Sequence, residues 1–194
     1  MKARLSFCLL LALFIIGGSR SSLYAQDYGI KTNVLYDATA TVNLGVEIGV
    51  ASKWTVDISA NYNGWSKNEQ TKWKHWLVQP EARYWFCDRF SGHFVGAHLL
   101  CGAYNLANIK NNISILGTDF SVLSNMRYQG YAYGAGVAYG YAFMLSKSIN
   151  LELEAGFGYA YLDYDKFKCD GCGRKVGSGS HHYVGPTKAA VNLV

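Results

Sequence analysis

Four residues near the end of the chain have types and spacing that suit metal binding. Cys169 and Cys172 are separated by two residues, and His181 and His182 follow nine and ten positions after Cys172. Thiolate and imidazole ligands at such spacing can hold zinc. A disulfide between Cys169 and Cys172 is the other chemistry open to an exported chain. We expect this disulfide, with free thiols and a metal site as alternatives.

The same region offers a histidine and serine pair that could serve a hydrolase. His181 or His182, with Ser178 or Ser180, would supply the residue types that membrane-barrel hydrolases of lipid A carry on their outer wall. These residues lie in or next to a Gly-rich stretch predicted to be a loop, where a catalytic pair would be poorly held. His98, within a predicted strand, is expected to be an interior histidine. The sequence therefore favours a non-enzymatic protein, with a hydrolase as an alternative.

Eight charged residues recur on one face of alternating segments. Five of them are carboxylates, which would repel one another in a narrow interior unless cations lay among them. Charges removed from water require partners, so we expect a salt-bridge network that fills the interior, with a narrow ion or proton path as the alternative. The predicted network consists of Lys31, Glu47, Asp57, Glu81, Arg83, Glu152, Glu154 and Lys188.

The segment from Trp76 to Phe86 predicts the strand that would hold Glu81 and Arg83. Its residues alternate between an apolar face with aromatic residues at both ends and a face carrying an amide, an acid and a base. Alternation with a period of two is typical of a β-strand. Apolar residues toward lipid, aromatic residues at the interfaces and polar groups toward the lumen are typical of a transmembrane barrel strand.

Seven further segments repeat this pattern and predict an all-β fold, an eight-stranded antiparallel up-and-down transmembrane β-barrel. Short predicted connections alternate with long ones, as in bacterial outer-membrane barrels, whose short turns are periplasmic. A soluble barrel with inverted faces is the alternative, and the near absence of charge from the apolar faces weighs against it. The predicted strands are 29–36, 42–50, 54–62, 76–87, 93–104, 127–145, 149–163 and 182–194.

The long predicted loops, 63–75, 105–126 and 164–181, carry the candidate binding residues. In the first of them, aromatic rings at headgroup level and lysines toward lipopolysaccharide phosphates would anchor the protein in the membrane interface. A receptor or glycan-binding surface would use the same residues. The loop residues predicted to bind are Trp65, Lys67, Lys72, Trp73, Lys74 and His75.

The first residues of the chain predict export. A basic start is followed by an apolar run from Leu5 to Ile16 and by a small residue, Ala25, before a predicted cleavage site. These are the features of a secretory signal peptide. We therefore expect residues 1–25 to be a signal peptide and residues 26–194 to form a single barrel domain.

Composition agrees with an aromatic, glycine-rich β protein. The chain has 15 Tyr, 9 Phe, 5 Trp and 21 Gly against 2 Pro, which favours strands over helices. Without Lys2, Arg4 and Arg20, fifteen Lys and Arg face 13 Asp and Glu. This near balance argues against a nucleic-acid partner, and no motif predicts a cofactor.

The chain resembles a family of small outer-membrane β-barrels of unknown function from Gram-negative anaerobes. The resemblance rests on His75 to Phe86, on Lys31 to Asp37 and on Gly185 to Ala189, and it extends over about residues 28–192. It implies an outer-membrane location and a barrel similar to that of outer-membrane protein A, with no established catalytic residues. Outer-membrane lipid, lipopolysaccharide and the barrel assembly machinery are then the expected partners, together with a surface ligand or protein.

These features favour a non-enzymatic outer-membrane barrel that contributes to envelope structure or adhesion through its surface loops. A membrane-embedded hydrolase of lipid A and a small pore are the alternative functions.

Overall fold

The structure, a computed structural model, describes residues 28–65, 72–107, 114–115, 118–119, 126–168 and 173–194. Eight antiparallel strands form a closed ring, in which each strand pairs with its neighbours in sequence and β1 pairs with β8. This confirms the predicted all-β class and the eight strands. The ring strands are β1 (Tyr28–Asn33), β2 (Val42–Ala51), β3 (Trp54–Asn63), β4 (Lys72–Trp85), β5 (Gly92–Ala107), β6 (Met126–Met144), β7 (Asn150–Lys168) and β8 (Lys175–Leu193).

Within the described residues, one short helix and one pair of two-residue strands lie outside the ring ladder. Helix α1 (Val34–Ala38) connects β1 to β2, and the two-residue strands Ser114–Ile115 and Thr118–Asp119 pair with each other between β5 and β6. No helix in the described part of the chain is both long enough and apolar enough to cross a bilayer.

The two ends of the ring differ. At the terminal end, β1 begins and β8 finishes, and short connections at residues 52–53, 86–91 and 145–149 join neighbouring strands. At the opposite end, which we call the mouth, β3, β5 and β7 finish, and α1, which follows β1, contacts β8. Because neighbouring strands are antiparallel, the register of each pair shows which residues of the two strands lie at the same height near the mouth.

Several predicted boundaries were wrong. The first strand was predicted to reach Tyr36 but ends at Asn33, whose side-chain Oδ1 accepts a hydrogen bond from Leu35 N and caps a helical turn instead. β4 starts at Lys72 and β8 at Lys175, so the ladder continues into segments predicted to be loops. The reason is that a neighbouring strand also continues and satisfies the backbone groups there.

Burial follows the alternation of the strands. Charged and polar residues occupy the buried, inward positions, whereas the outward positions carry large exposed apolar side chains. Leu44, Val137 and Phe157, for example, are 57%, 67% and 50% exposed, while Arg83 and Glu47 are 0% exposed. The ring is therefore polar inside and apolar outside.

The seam that closes the ring is short and is supplemented by one side chain. β1 and β8 share the Cα partners Thr32 with Leu193 and Asn33 with Asn192. Beyond them, Asn33 Nδ2 donates to Ala189 O at 3.2 Å and Asn33 Oδ1 accepts from Val191 N at 3.2 Å. The amide of Asn33 thus satisfies backbone groups of β8 where α1 has replaced a strand partner.

Candidate functional site

Arg83 lies at the centre of the ring and contacts every carboxylate of the interior. Its guanidinium donates to Glu81 at 2.6 Å, to Glu47 and Glu154 at 2.7 Å each, and to Glu152 at 3.2 Å. Asp57 lies 3.6 Å away. The five donors of a planar guanidinium allow one side chain to serve several carboxylates at once.

Two lysines divide the same carboxylates between them. Lys31 Nζ pairs with Glu47 and lies 3.2 Å from Glu152, whereas Lys188 Nζ lies 2.7 Å from Glu81 and 3.1 Å from Glu154. Both lysines also lie within 4 Å of Asp57. The structure therefore brings together all eight residues of the predicted charge network, and their formal charges are five negative and three positive.

The register explains why these cations are needed. Glu47, Asp57, Glu81 and His98 are direct cross-strand partners on β2, β3, β4 and β5, so three carboxylates stand side by side. Like charges directly opposite one another destabilise a sheet. Their proximity depends on Arg83, Lys31 and Lys188, which reach the row from its own strand β4 and from β1 and β8.

Aromatic packing closes the interior on the side of the terminal end. Trp85 and Phe94 are fully buried with ring centroids 4.7 Å apart, and Phe90 lies 6.1 Å from Trp85. Trp85 Nε1 donates to Thr55 Oγ1, which in turn donates to Glu47. The guanidinium of Arg83 lies 4.5 Å from the Phe94 ring, so the charged and aromatic layers are in direct contact.

On the mouth side of the network, polar side chains fill part of the interior. His98 Nε2 and Thr187 Oγ1 are 2.9 Å apart, and Gln79 Nε2 donates to Thr187 O at 3.0 Å. A cavity of about 20 Å³ remains beside Lys31, Lys188 and Tyr36 of α1, which is room for about one water molecule. Burial raises the pKa of the Tyr36 phenol, and the positive charge of Lys188 opposes this rise.

A larger cavity, of about 420 Å³, opens at the mouth. It is lined by consecutive triplets of residues, 62–64, 74–76, 103–105, 129–131 and 163–165, at the mouth ends of β3 to β7. By the alternation of each strand, the middle residue of each triplet faces the interior. These inward positions are Asn63, His75, Tyr104, Gly130 and Tyr164.

The predicted loop-binding residues are distributed over this rim. Lys72, Trp73, Lys74 and His75 belong to β4 rather than to a loop, because β4 pairs with β5 from Lys72 onward. Lys74 and His75 line the mouth cavity. Trp65 is 62% exposed and its Nε1 donates to Ala40 O at 2.7 Å, and Lys67 lies outside the described residues.

The predicted cysteine and histidine sites are only partly described. Cys169 and Cys172 lie outside the described residues, as does the predicted signal peptide. Cys87 is free and exposed, so it is not paired with Cys101. Within the described ranges, no group of three or more His, Cys, Asp or Glu is placed to hold a metal ion.

The candidate hydrolase residues lie in strand β8 and not in a loop. The alternation of β8 directs His182, Ser178 and Ser180 outward and His181 inward. Ser180 is the cross-strand partner of Asp163, and His182 Nδ1 is hydrogen-bonded to the Tyr159 hydroxyl. The structure therefore brings His182 onto the same outer face as the two serines.

Gln79 was predicted on the polar face of its strand, but no role was predicted for the uncharged polar residues that complete the interior. Thr55, Gln79, Asn192 and Thr187 all hydrogen-bond inside the ring. The alternation of their strands placed Thr55, Gln79 and Asn192 inward, whereas Thr187 reaches the interior at a register shift between Pro186 and Lys188 that alternation does not predict. The mouth cavity was not predicted, because it depends on the register of five strands. Register decides which of their residues lie at the same height in the ring.

Comparisons with known proteins give a family and no function. The family model described as a protein of unknown function (DUF3575) matches residues 8–194. No curated protein matches the chain, and no solved structure matches it. Since the matched region covers most of the sequence, the chain belongs to the DUF3575 family of proteins of unknown function.

Proposed function

We propose that the protein is an exported, non-enzymatic outer-membrane β-barrel with a closed lumen, which contributes to envelope structure or adhesion through its mouth end. The observation that best supports this proposal is the polarity of the ring, which is apolar outside and charged inside.

Water is a poor solvent for such an exterior. Outward side chains on several strands, among them Ile48, Val137, Phe157 and Val184, are 47%, 67%, 50% and 53% exposed. Soluble monomers rarely expose contiguous apolar surface of this kind, whereas a bilayer requires an apolar outer band and a ring with no open strand edge. Lipid contact is therefore the environment that best accounts for this exterior.

Aromatic and histidine residues on the outer wall support the same environment. His93 packs against Tyr139 and Tyr141 near the terminal end, and His182 packs against Tyr159 and Tyr161 toward the mouth. Amphipathic rings in two bands are typical of the interfaces of a membrane barrel. The predicted signal peptide would direct the chain to the envelope.

The interior supports a structural or binding role over conduction. Eight paired charges occupy its centre, and the aromatic layer of Trp85 and Phe94 lies directly below them. An ion path would need continuous space past Arg83, whose donors are engaged by carboxylates on all sides. The mouth end, with its polar and aromatic cavity, is then the part available to partners outside the cell.

The test is membrane fractionation combined with gel mobility. The protein should be found in the outer-membrane fraction, and in SDS the unboiled band should migrate differently from the boiled band, since a closed ring resists unfolding. A soluble periplasmic protein with no mobility difference would contradict the proposal. The exposed apolar exterior of the ring would then have to be covered by something other than lipid, such as a protein partner.

A further inference from the structure

We propose that the mouth cavity binds a neutral carbohydrate between Tyr104 and Tyr164. The inference rests on the proposed function only for the side of the membrane to which the cavity opens. Binding itself requires only the folded ring.

The cavity has a tyrosine on each side of a strand that offers only backbone. Tyr104, Gly130 and Tyr164 are direct cross-strand partners on β5, β6 and β7. A Cβ at Gly130 would lie 1.8 Å from Asp163 O, so this strand can offer only backbone here. The backbones of the two tyrosines are therefore two strand spacings apart, about 10 Å, and the Tyr164 ring lies beside Gly179 on β8.

Tyr164 is held in place before any ligand arrives. Its ring packs edge-on against Tyr128, with centroids 5.4 Å apart, and Lys166 Nζ lies 5.4 Å from the Tyr164 centroid and 5.7 Å from that of Tyr128. A wall fixed by its neighbours loses little conformational entropy on binding. The cavity of about 420 Å³ falls in the size range of small-molecule sites, about 300–1,000 Å³.

The chemistry of the lining matches a hydroxyl-rich ligand. Aromatic faces are electron-rich and attract the C–H groups on the apolar face of a sugar ring. We assign this role to the Tyr104 ring, because Lys166 Nζ already lies over the Tyr164 ring. The phenols of Tyr104 and Tyr164 and the imidazole of His75 can both donate and accept hydrogen bonds, as sugar hydroxyls do. Asn105 and Gln129, whose amides also do both, lie at the rim of the same cavity.

Charged ligands fit this site less well. The network below the cavity has two more carboxylates than cations, and this imbalance disfavours an anion. The position where a ligand cation would meet Tyr128 and Tyr164 is already occupied by Lys166. An apolar lipid tail would place hydrocarbon against the polar side chains of the rim, among them His75, Asn105 and Gln129, and removing polar groups from water in this way is costly. A neutral sugar avoids all three penalties.

The experiment screens the full chain, refolded in detergent, on an array of neutral and acidic oligosaccharides, and then measures affinity for the best neutral one by titration calorimetry. Tyr104→Ala should weaken binding by about tenfold or more through loss of a ring face, and Tyr164→Ala should weaken it by about three- to tenfold through loss of its hydroxyl. Tyr104→Phe and Tyr164→Phe should weaken it by about three- to tenfold, the loss of one hydrogen bond. Tyr28→Ala is the matched control, because Tyr28 is 74% exposed at the terminal end.

Each protein is first checked for its unboiled gel mobility, so that a folding defect is separated from a binding defect. Binding of a neutral oligosaccharide that the Tyr104 and Tyr164 variants weaken and Tyr28→Ala does not would support the site. The Phe variants decide the matter if the Ala variants do not refold. A folded wild-type protein that binds no neutral oligosaccharide, prefers charged ones, or binds equally well in all variants would overturn it. These outcomes leave the membrane proposal intact, because the mobility and fractionation results are separate.

Discussion

Arg83 Nη2 donates to Glu154 Oε2 at 2.7 Å, although the two residues lie on β4 and β7, which are not neighbours in the ring. This bond crosses the interior and joins opposite walls. The same guanidinium also contacts β2, β3 and another residue of β7 through Glu47, Asp57 and Glu152. Arg83 therefore links strands that the backbone ladder does not pair.

Removing this cation should be costly. Arg83→Met leaves buried carboxylates without their shared partner, and breaking a buried ion pair costs about 3–5 kcal/mol. The free energy of unfolding, from urea titration of the refolded protein, measures the loss. Lys175→Met is the control, because the Lys175–Asp165 pair is 51% and 42% exposed and such pairs contribute about 0–1 kcal/mol. Equal losses in the two variants would contradict the role of Arg83.

Cations and carboxylates of the network should not be equivalent. The interior has five carboxylates for three cations, so losing a cation adds to the imbalance and neutralising a carboxylate reduces it. We expect Lys31→Met to lower the urea midpoint and Glu152→Gln to change it little. Glu152 Oε1 has no hydrogen-bond partner among the described residues, which makes this carboxylate a suitable test. A larger loss for Glu152→Gln than for Lys31→Met would refute the argument.

The seam should depend on the amide of Asn33. Asn33→Ala removes bonds to Ala189 O, Val191 N and Leu35 N, and unsatisfied buried backbone groups cost about 1–3 kcal/mol each. The temperature at which the unboiled gel band converts to the boiled position should fall. Asn33→Asp keeps the acceptor but loses the donor to Ala189 and adds a buried carboxylate to an interior that already has an excess of them, so its conversion temperature should fall as well. An unchanged temperature in both variants would show that the ladder closes the seam alone.

The interior should not conduct ions. Planar bilayers containing the wild-type protein should show no stable channels, because the paired charges and the Trp85–Phe94 layer fill the cross-section. Single-channel recording measures this directly. Channels whose conductance changes in Glu81→Gln would instead assign an ion path through the network.

Much of the fold follows from the alternation of the sequence, because successive side chains of a strand face opposite sides. The pattern around Glu81 and Arg83 predicted the strand and its polar face. Glu47 on β2 and Glu152 on β7 were likewise predicted to face inward, and both are buried. Alternation says nothing about register, however. Which carboxylate meets Lys31 and which meets Lys188 depends on how far each strand is shifted along its neighbour.

Strand ends were harder to predict, because they depend on local capping and on how far the neighbouring strand continues. Asn33 lies in an alternating segment, but its side chain accepts a hydrogen bond from Leu35 N. This local bond ends the strand and starts α1. The Gly-rich segment that begins β8 is a weak strand former on its own, yet Gly179 pairs with Tyr164 because β7 continues beside it. The mouth cavity likewise depends on Gly130 lying between two tyrosines on other strands, which no single segment reveals.

The measurement that tests the central claim most directly is the cost of an outward charge at mid-height of the ring. Val137 is 67% exposed and pairs with Ala97, which pairs with Ala82, the residue between Glu81 and Arg83. Val137→Arg, measured by urea unfolding from phospholipid vesicles, should lose about 2–4 kcal/mol if this position faces the bilayer midplane. Gln129→Arg, outward near the mouth, should lose about 0–1 kcal/mol. Equal and small losses at both positions would mean that water, and not lipid, surrounds the ring.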